Sequence, residues 1–173
     1  MKIQIIQLSD IHFKEGENSF QKKEEKLFES IRNSTLEYEE IFLLVTGDIA
    51  FSGKEKEYDL GSNFLKGLKT KLEEYSQKKI NILTIPGNHD CDFDIDTKAR
   101  QNQLNIIQRL GDSAIDDSVI NQCVEVQKNY FTFRDSIQET AKAAYAHPLL
   151  SVYPFDYGEK RIVFHCYNTA YMS

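Results

Sequence analysis

Apolar positions along the chain follow two periods. Ile3 to Leu8 is a β-branched run closed by Ser9-Asp10, Ile41 to Val45 a second closed by Thr46-Gly47-Asp48, and Ile80 to Ile85 a third closed by Pro86-Gly87-Asn88. Each has the length and composition of a buried strand. Between them the spacing changes to threes and fours. Phe20, Leu27, Phe28 and Ile31 accompany the mixed-charge stretch Lys14 to Lys26, which reads as the solvated face of a helix. Tyr58, Leu65, Leu68, Leu72 and Tyr75 then form the apolar stripe of a long amphipathic helix. Short apolar strands alternating with such helices predict parallel βαβ units.

Beyond Asp96 the pattern is helical again, with one stripe at Ile106, Ile107 and Leu110 and another running from Ile120 through Cys123, Val124, Tyr130 and Phe131 to Ile137. Ser151 to Tyr157 and Arg161 to Tyr167 read as two strands around a turn at Gly158-Glu159, preceded by a loop containing His147-Pro148. With no repeat, linker or low-complexity tract, residues 1–173 form one domain.

Composition removes several functional classes. At 40% hydrophobic and 12% aromatic residues the chain is globular. Its longest unbroken apolar run, Ile41 to Val45, is far short of the ~20 residues of a membrane helix, and glutamines interrupt any signal-peptide core near the start. Lysine and arginine number 21 against 27 acidic residues, a net charge of −6. That balance argues against gripping nucleic acid by its phosphates. Three scattered cysteines without a C-x-x-C pair exclude a disulfide framework and a thiolate zinc site, and fit a reducing, cytoplasmic location.

Candidate chemistry sits directly after the strands, in Asp10-Ile11-His12, Gly47-Asp48 and Gly87-Asn88-His89-Asp90. In an open α/β sheet the carboxyl ends of parallel strands open onto one crevice, so clusters about forty positions apart in sequence converge in space. Two of the clusters are ordinary alone, since Asp-x-His is common and Gly-Asp often just ends a strand, whereas His and Asp side by side in Gly-Asn-His-Asp have a mechanistic use. Together they collect three aspartates, two histidines and an asparagine. Crowded carboxylates repel and lose hydration unless a cation joins them. Imidazole and carboxylate donors suit manganese, iron, zinc or nickel. Asp90, Asp92, Asp94 and Asp96 alternate as in a calcium loop but lack its glycine and final glutamate. They are expected to rim the metal crevice instead.

At these residues the sequence resembles the calcineurin-like metallophosphoesterase superfamily, whose signatures D-x-H, G-D and G-N-H-D/E match "LSDIHF", "VTGDIAFSG" and "TIPGNHD". The close spacing in "GDIAFSGKEKEY" is most similar to the cyclic-nucleotide phosphodiesterase branch. The resemblance implies a four-layer αββα sandwich and a hydrolase using two divalent metal ions. Asp10 and His12 would hold the first metal, Asp48 would bridge both, and Asn88 would hold the second while contacting the phosphate. A metal-bridging hydroxide would be the nucleophile. His89 would face the leaving oxygen as general acid or cationic stabiliser, with Asp90 orienting its imidazole.

The departures also shape the expectation. The histidines are His12, His89, His147 and His165, and no Gly-His-x-His is present. His165 reads as a core or edge histidine within a strand and His147 as a surface residue. The second metal keeps only Asp48 and Asn88, so its site is expected to be weak. The expected fold is therefore incomplete at its C-terminus, the N-terminal portion of a longer protein whose missing segment, or another chain, completes the site. The expected substrate is a phosphodiester, with a nucleotide as candidate. A phosphomonoesterase or nuclease of the same superfamily, or a non-catalytic interaction domain, are the alternatives.

Overall fold

A computed structural model of the protein describes residues 1–16, 23–138 and 141–173. Phe20, expected on the first helix, lies outside the described residues. Strand β1 (Ile3–Leu8) leads to helix α1 (Glu24–Thr35), strand β2 (Glu40–Thr46), helix α2 (Glu55–Ser76) and strand β3 (Ile80–Ile85). Helices α3 (Lys98–Leu110), α4 (Asp117–Cys123) and α5 (Lys128–Ile137) follow, then strands β4 (Tyr145–His147), β5 (Leu150–Tyr157) and β6 (Lys160–Tyr167).

β1, β2 and β3 form a parallel sheet in that order, with Leu8 opposite Val45 and Thr46 opposite Ile85 at its carboxyl edge. Alternation along β2 sends Ile41, Leu43 and Val45 into a core shared with Leu65, Leu68 and Leu72 of α2. Burying each such leucine contributes about 1.5–3 kcal/mol. Tyr130, Phe133 and Ile137 of α5 complete that core, so the aromatic stripe of this helix is packing, as its spacing suggests. The other face of β2 turns Phe42 toward the second sheet, where its ring lies 4.9 Å from that of Phe155 and 4.7 Å from that of Phe164.

The second sheet is antiparallel, in the order β4-β5-β6. Helices on a parallel sheet on an antiparallel sheet give three of the four expected layers among the described residues. On the outward face of β6, Val163 and Tyr167 remain 40% and 56% exposed. His165 is exposed beside Tyr167 on this face, in agreement with an edge histidine. His147 differs from expectation. It closes the three-residue strand β4, and its Nδ1 accepts a hydrogen bond from the Leu149 amide at 3.2 Å. No helix among the described residues is long and apolar enough to cross a membrane.

Candidate metal centre

The parallel register places the loops after β1, β2 and β3 side by side. The first two continue the ladder beyond the strands: the amides of Asp10, His12 and Phe13 donate to the carbonyls of Gly47, Asp48 and Ile49 at 3.3, 3.0 and 2.8 Å. This path requires unusual backbone. Asp10, His12 and Asp48 have φ of 55°, 54° and 54°, and Gln77 at the end of α2 is the other described non-glycine residue with positive φ. Left-handed backbone costs about 1–2 kcal/mol for an L-residue. Such strain persists where the surroundings over-determine it, and it gathers at functional sites.

The strained turns direct side chains to one place. Potential ligand atoms of His12, Asp48 and His89 all lie within 4.8 Å of one another. The imidazoles of His12 and His89 meet edge-on, 4.6 Å between centroids. His12 Nδ1 is buried without a hydrogen-bond partner among the described residues, and a buried polar atom of that kind calls for a physical explanation, which a cation held beside the imidazole would supply. Asp48 Oδ1 accepts the His89 amide at 2.9 Å, which leaves its second oxygen for another partner. Two imidazoles and a carboxylate fit a borderline transition-metal cation, so the donor set agrees with the metal use of the resembled family. Asp10 and Asn88 are not in this triad. The Asp10 carboxylate accepts from Ser9 Oγ, and Asn88 is exposed on the wall of an adjoining cleft.

In the third cluster, His89, expected to face the leaving oxygen, stands within the triad. Asp90, expected to orient the His89 imidazole, points into the protein. There Oδ1 accepts from the Ala50 amide and the Tyr58 hydroxyl, both at 3.0 Å, and Oδ2 from the Gly87 amide at 2.9 Å. The His89 ring is held instead by the Phe51 carbonyl, 2.8 Å from Nδ1. A carbonyl only accepts, so Nδ1 carries the proton and Nε2 is the nitrogen open to a ligand.

Burial pushes the Asp90 carboxyl above its usual range, against the lowering effect of its amide and hydroxyl donors. Burial, with Asp90 beside it, likewise drives the Tyr58 phenol well up, so it remains a donor. Tyr58 and Glu57 thereby acquire roles that their position in the sequence did not reveal. Tyr58 props Asp90, and Glu57 accepts from the Ser52 amide at 2.8 Å and the Lys54 amide at 3.2 Å, pinning the loop that carries Phe51. Of the acidic run, Asp92 and Asp94 both bind the Lys54 ammonium, which raises its pKa. Cys91 is buried and its thiol is pushed up to about 11, so it is no nucleophile.

Gly87 is required for space. Its φ of −108° suits any residue, but a Cβ there would lie 2.1 Å from Asp48 Oδ1. Gly87→Ala is therefore expected to push the Asp48 carboxylate out of the triad and weaken Mn²⁺ binding by about tenfold or more, as read by titration calorimetry. Unchanged affinity would show that Asp48 does not hold the cation.

Comparison with known proteins agrees with the geometry. A family model described as calcineurin-like phosphoesterase matches residues 3–161. The uncharacterized metallophosphoesterase-like protein YydB of Bacillus subtilis (strain 168) is 30% identical over 140 residues, which cover 77% of this chain and 27% of that protein. The chain thus spans about a quarter of the length of this relative. Strained loops, clustered donors and the matched family model together place the chain in the calcineurin-like phosphoesterase family.

Proposed function

We propose that this domain hydrolyses a phosphodiester with the help of divalent metal ions held at the carboxyl edge of the parallel sheet. The observation that carries the reading is the convergence of His12, Asp48 and His89, whose potential ligand atoms all lie within 4.8 Å of one another. Asp10 and His12 would hold one cation, Asp48 would bridge to a second, and Asn88 would reach that second cation and the phosphate. Bound cations would lower the pKa of a bridging water and neutralise charge developing on the phosphoryl oxygens. His89, with its Nδ1 proton on the Phe51 carbonyl, would donate from Nε2 to the phosphate or the departing oxygen when the ring is protonated. Asp90 serves as a positioning residue, locking the Gly87 turn from beneath through the Gly87 amide.

The diester preference is supported by the "GDIAFSGKEKEY" spacing, in which Glu57 and Tyr58 brace the loop and turn beside the triad. A net charge of −6 weighs against a nuclease acting alone. Asp48 and Asn88 would be two protein ligands for the second cation, so metal analysis of this chain is expected to find one well-occupied site. Two tightly held metals per chain would overturn that ligand assignment.

For the reaction, the Mn²⁺-loaded protein is expected to turn over bis-p-nitrophenyl phosphate faster than p-nitrophenyl phosphate. A preference for the monoester would replace the diester reading with a phosphatase. No turnover of either ester, with Mn²⁺ still bound, would favour a non-catalytic interaction domain.

A further inference from the structure

The imidazole of His89 is held by an oxygen on a different loop, so two separate backbones must keep a fixed gap. The Phe51 carbonyl, 2.8 Å from Nδ1, lies in the loop after β2, and the ring lies in the turn after β3. Asp90 ties the two together at their root, accepting from the Ala50 amide of one and the Gly87 amide of the other. Their outer ends meet backbone to backbone. A Cβ on Gly53 would lie 2.6 Å from both the Asp92 nitrogen and the Cys91 carbonyl carbon, and its φ of 68° also favours glycine.

One helical element grips both backbones at this outer contact. Val126, in the 3₁₀ turn Val124–Gln127 that leads into α5, accepts the Asp92 amide at 2.7 Å. Asn129, in the first turn of α5, donates Nδ2 to the Gly53 carbonyl at 2.9 Å. Between them the fully buried Gln127 places its Nε2 3.6 Å from Cys91 Sγ and 3.2 Å from the Ala170 carbonyl, while its Oε1 accepts Asn168 Nδ2 at 2.7 Å. Lys54 also crosses from the Phe51 loop to Asp92 and Asp94, but its side chain is 37% exposed and water screens ion pairs of that kind.

We infer that Asn129 is a positioning residue for His89. By holding the Gly53 carbonyl beside the Cys91–Asp92 backbone, it keeps the Phe51 carbonyl within reach of Nδ1 and so fixes the tautomer and direction of the ring. The consequence for catalysis rests on the proposed phosphoester site, where Nε2 must face the phosphate. Glu57 shapes the same loop through the Ser52 and Lys54 amides, but from α2. Asn129 alone among these side chains joins the loop to the element that also holds Asp92. Without its bond the Gly53 peptide is released, the Phe51 carbonyl drifts from Nδ1, and the imidazole is free to take either tautomer.

Two-bond ¹H–¹⁵N spectra of the metal-free protein, taken where the imidazoles are neutral, read this tautomer without relying on turnover. The His89 signals are those lost in His89→Gln. The unaltered protein is expected to show His89 with its proton on Nδ1. Asn129→Ala, and Asn129→Asp, which keeps the size but turns an acceptor toward the Gly53 carbonyl, should both show a mixture of tautomers. In the Mn²⁺-loaded variants, kcat for bis-p-nitrophenyl phosphate should fall by about tenfold to a hundredfold, the cost of misplacing a reacting group by about an ångström, with KM within about twofold. A proton on Nε2 in the unaltered protein, or an Nδ1–H ring that persists in both variants, overturns the inference. A mixed tautomer with kcat unchanged also overturns it, because the direction of the ring would then not matter to the reaction. If the unaltered protein turns over no diester while the tautomer shifts as expected, the phosphoesterase reading falls and Asn129 still places His89.

Discussion

Asp48→Asn is expected to lower phosphodiester turnover of the Mn²⁺-loaded protein by about a thousandfold, the upper range for removing one group that stabilises a transition state. The substitution keeps size and shape. Its carbonyl oxygen can still accept the His89 amide, the bond that Oδ1 makes at 2.9 Å. The NH₂ group then takes the place of the free oxygen and directs N–H dipoles at the cation, where a carboxylate had supplied charge and a lone pair. Because the neighbouring hydrogen bond is preserved, the thermal midpoint of the metal-free variant should stay close to that of the unaltered protein. Steady-state kinetics on bis-p-nitrophenyl phosphate decides the matter. Turnover within a few-fold of the unaltered protein would remove Asp48 from the bridging position.

Asp90→Ala should have the largest effect on stability at the site. The carboxylate is fully buried and accepts from two backbone amides and a phenol at 2.9–3.0 Å. Truncation strands the Ala50 and Gly87 amides in the interior, while the Tyr58 hydroxyl keeps the Asp90 carbonyl at 3.2 Å, and at about 1–3 kcal/mol for each buried group left unmade the loss reaches ~3 kcal/mol or more. For a domain of this size, ~3 kcal/mol lowers the thermal midpoint by roughly 6–12 °C. Asp90→Asn retains one oxygen and should lose about half as much. Denaturation is best followed in chelator, so that cation binding to the native state does not mask the difference. A midpoint unchanged in Asp90→Ala would mean that Asp90 does not hold the Gly87 turn in solution.

The sequence carried the part of the site that depends on local pattern. The runs at Ile3, Ile41 and Ile80 are apolar, β-branched and sharply ended by Asp, Gly or Pro, and β1 and β3 have those limits. Parallel strands separated by amphipathic helices bring their carboxyl ends together, so the meeting of the three polar clusters followed from order alone. β4 was not legible. Three residues are too few to show alternation, and Tyr145 and Ala146 are both exposed on that edge.

Side-chain direction within the clusters was not legible either, for a geometric reason. Asn88, His89 and Asp90 form one 3₁₀ turn, in which successive residues point about 120° apart. The three therefore face different surroundings: Asn88 the solvent-exposed cleft, His89 the triad, and Asp90 the interior. Adjacency in sequence made Asp90 look like the partner of His89, and the turn separates them. The group that does hold the imidazole is the Phe51 carbonyl, 38 positions away. A backbone oxygen leaves no trace in side-chain identity, so no reading of residue types could have found it.

The sequence by itself thus determined which elements form, the edge of the sheet at which they gather polar groups, and the cation chemistry those groups suit. These depend on hydrophobic period, chain order and donor type, all of which are properties of residue identity. Tertiary structure alone decided which donors meet, because that depends on left-handed backbone at Asp10, His12 and Asp48 and on the close approach of Gly87 to Asp48. It also decided that Phe51 and Phe93 stay at the surface beside His89, since Lys54 on the loop of Phe51 pairs with Asp92 and Asp94 around Phe93, 38 and 40 positions away.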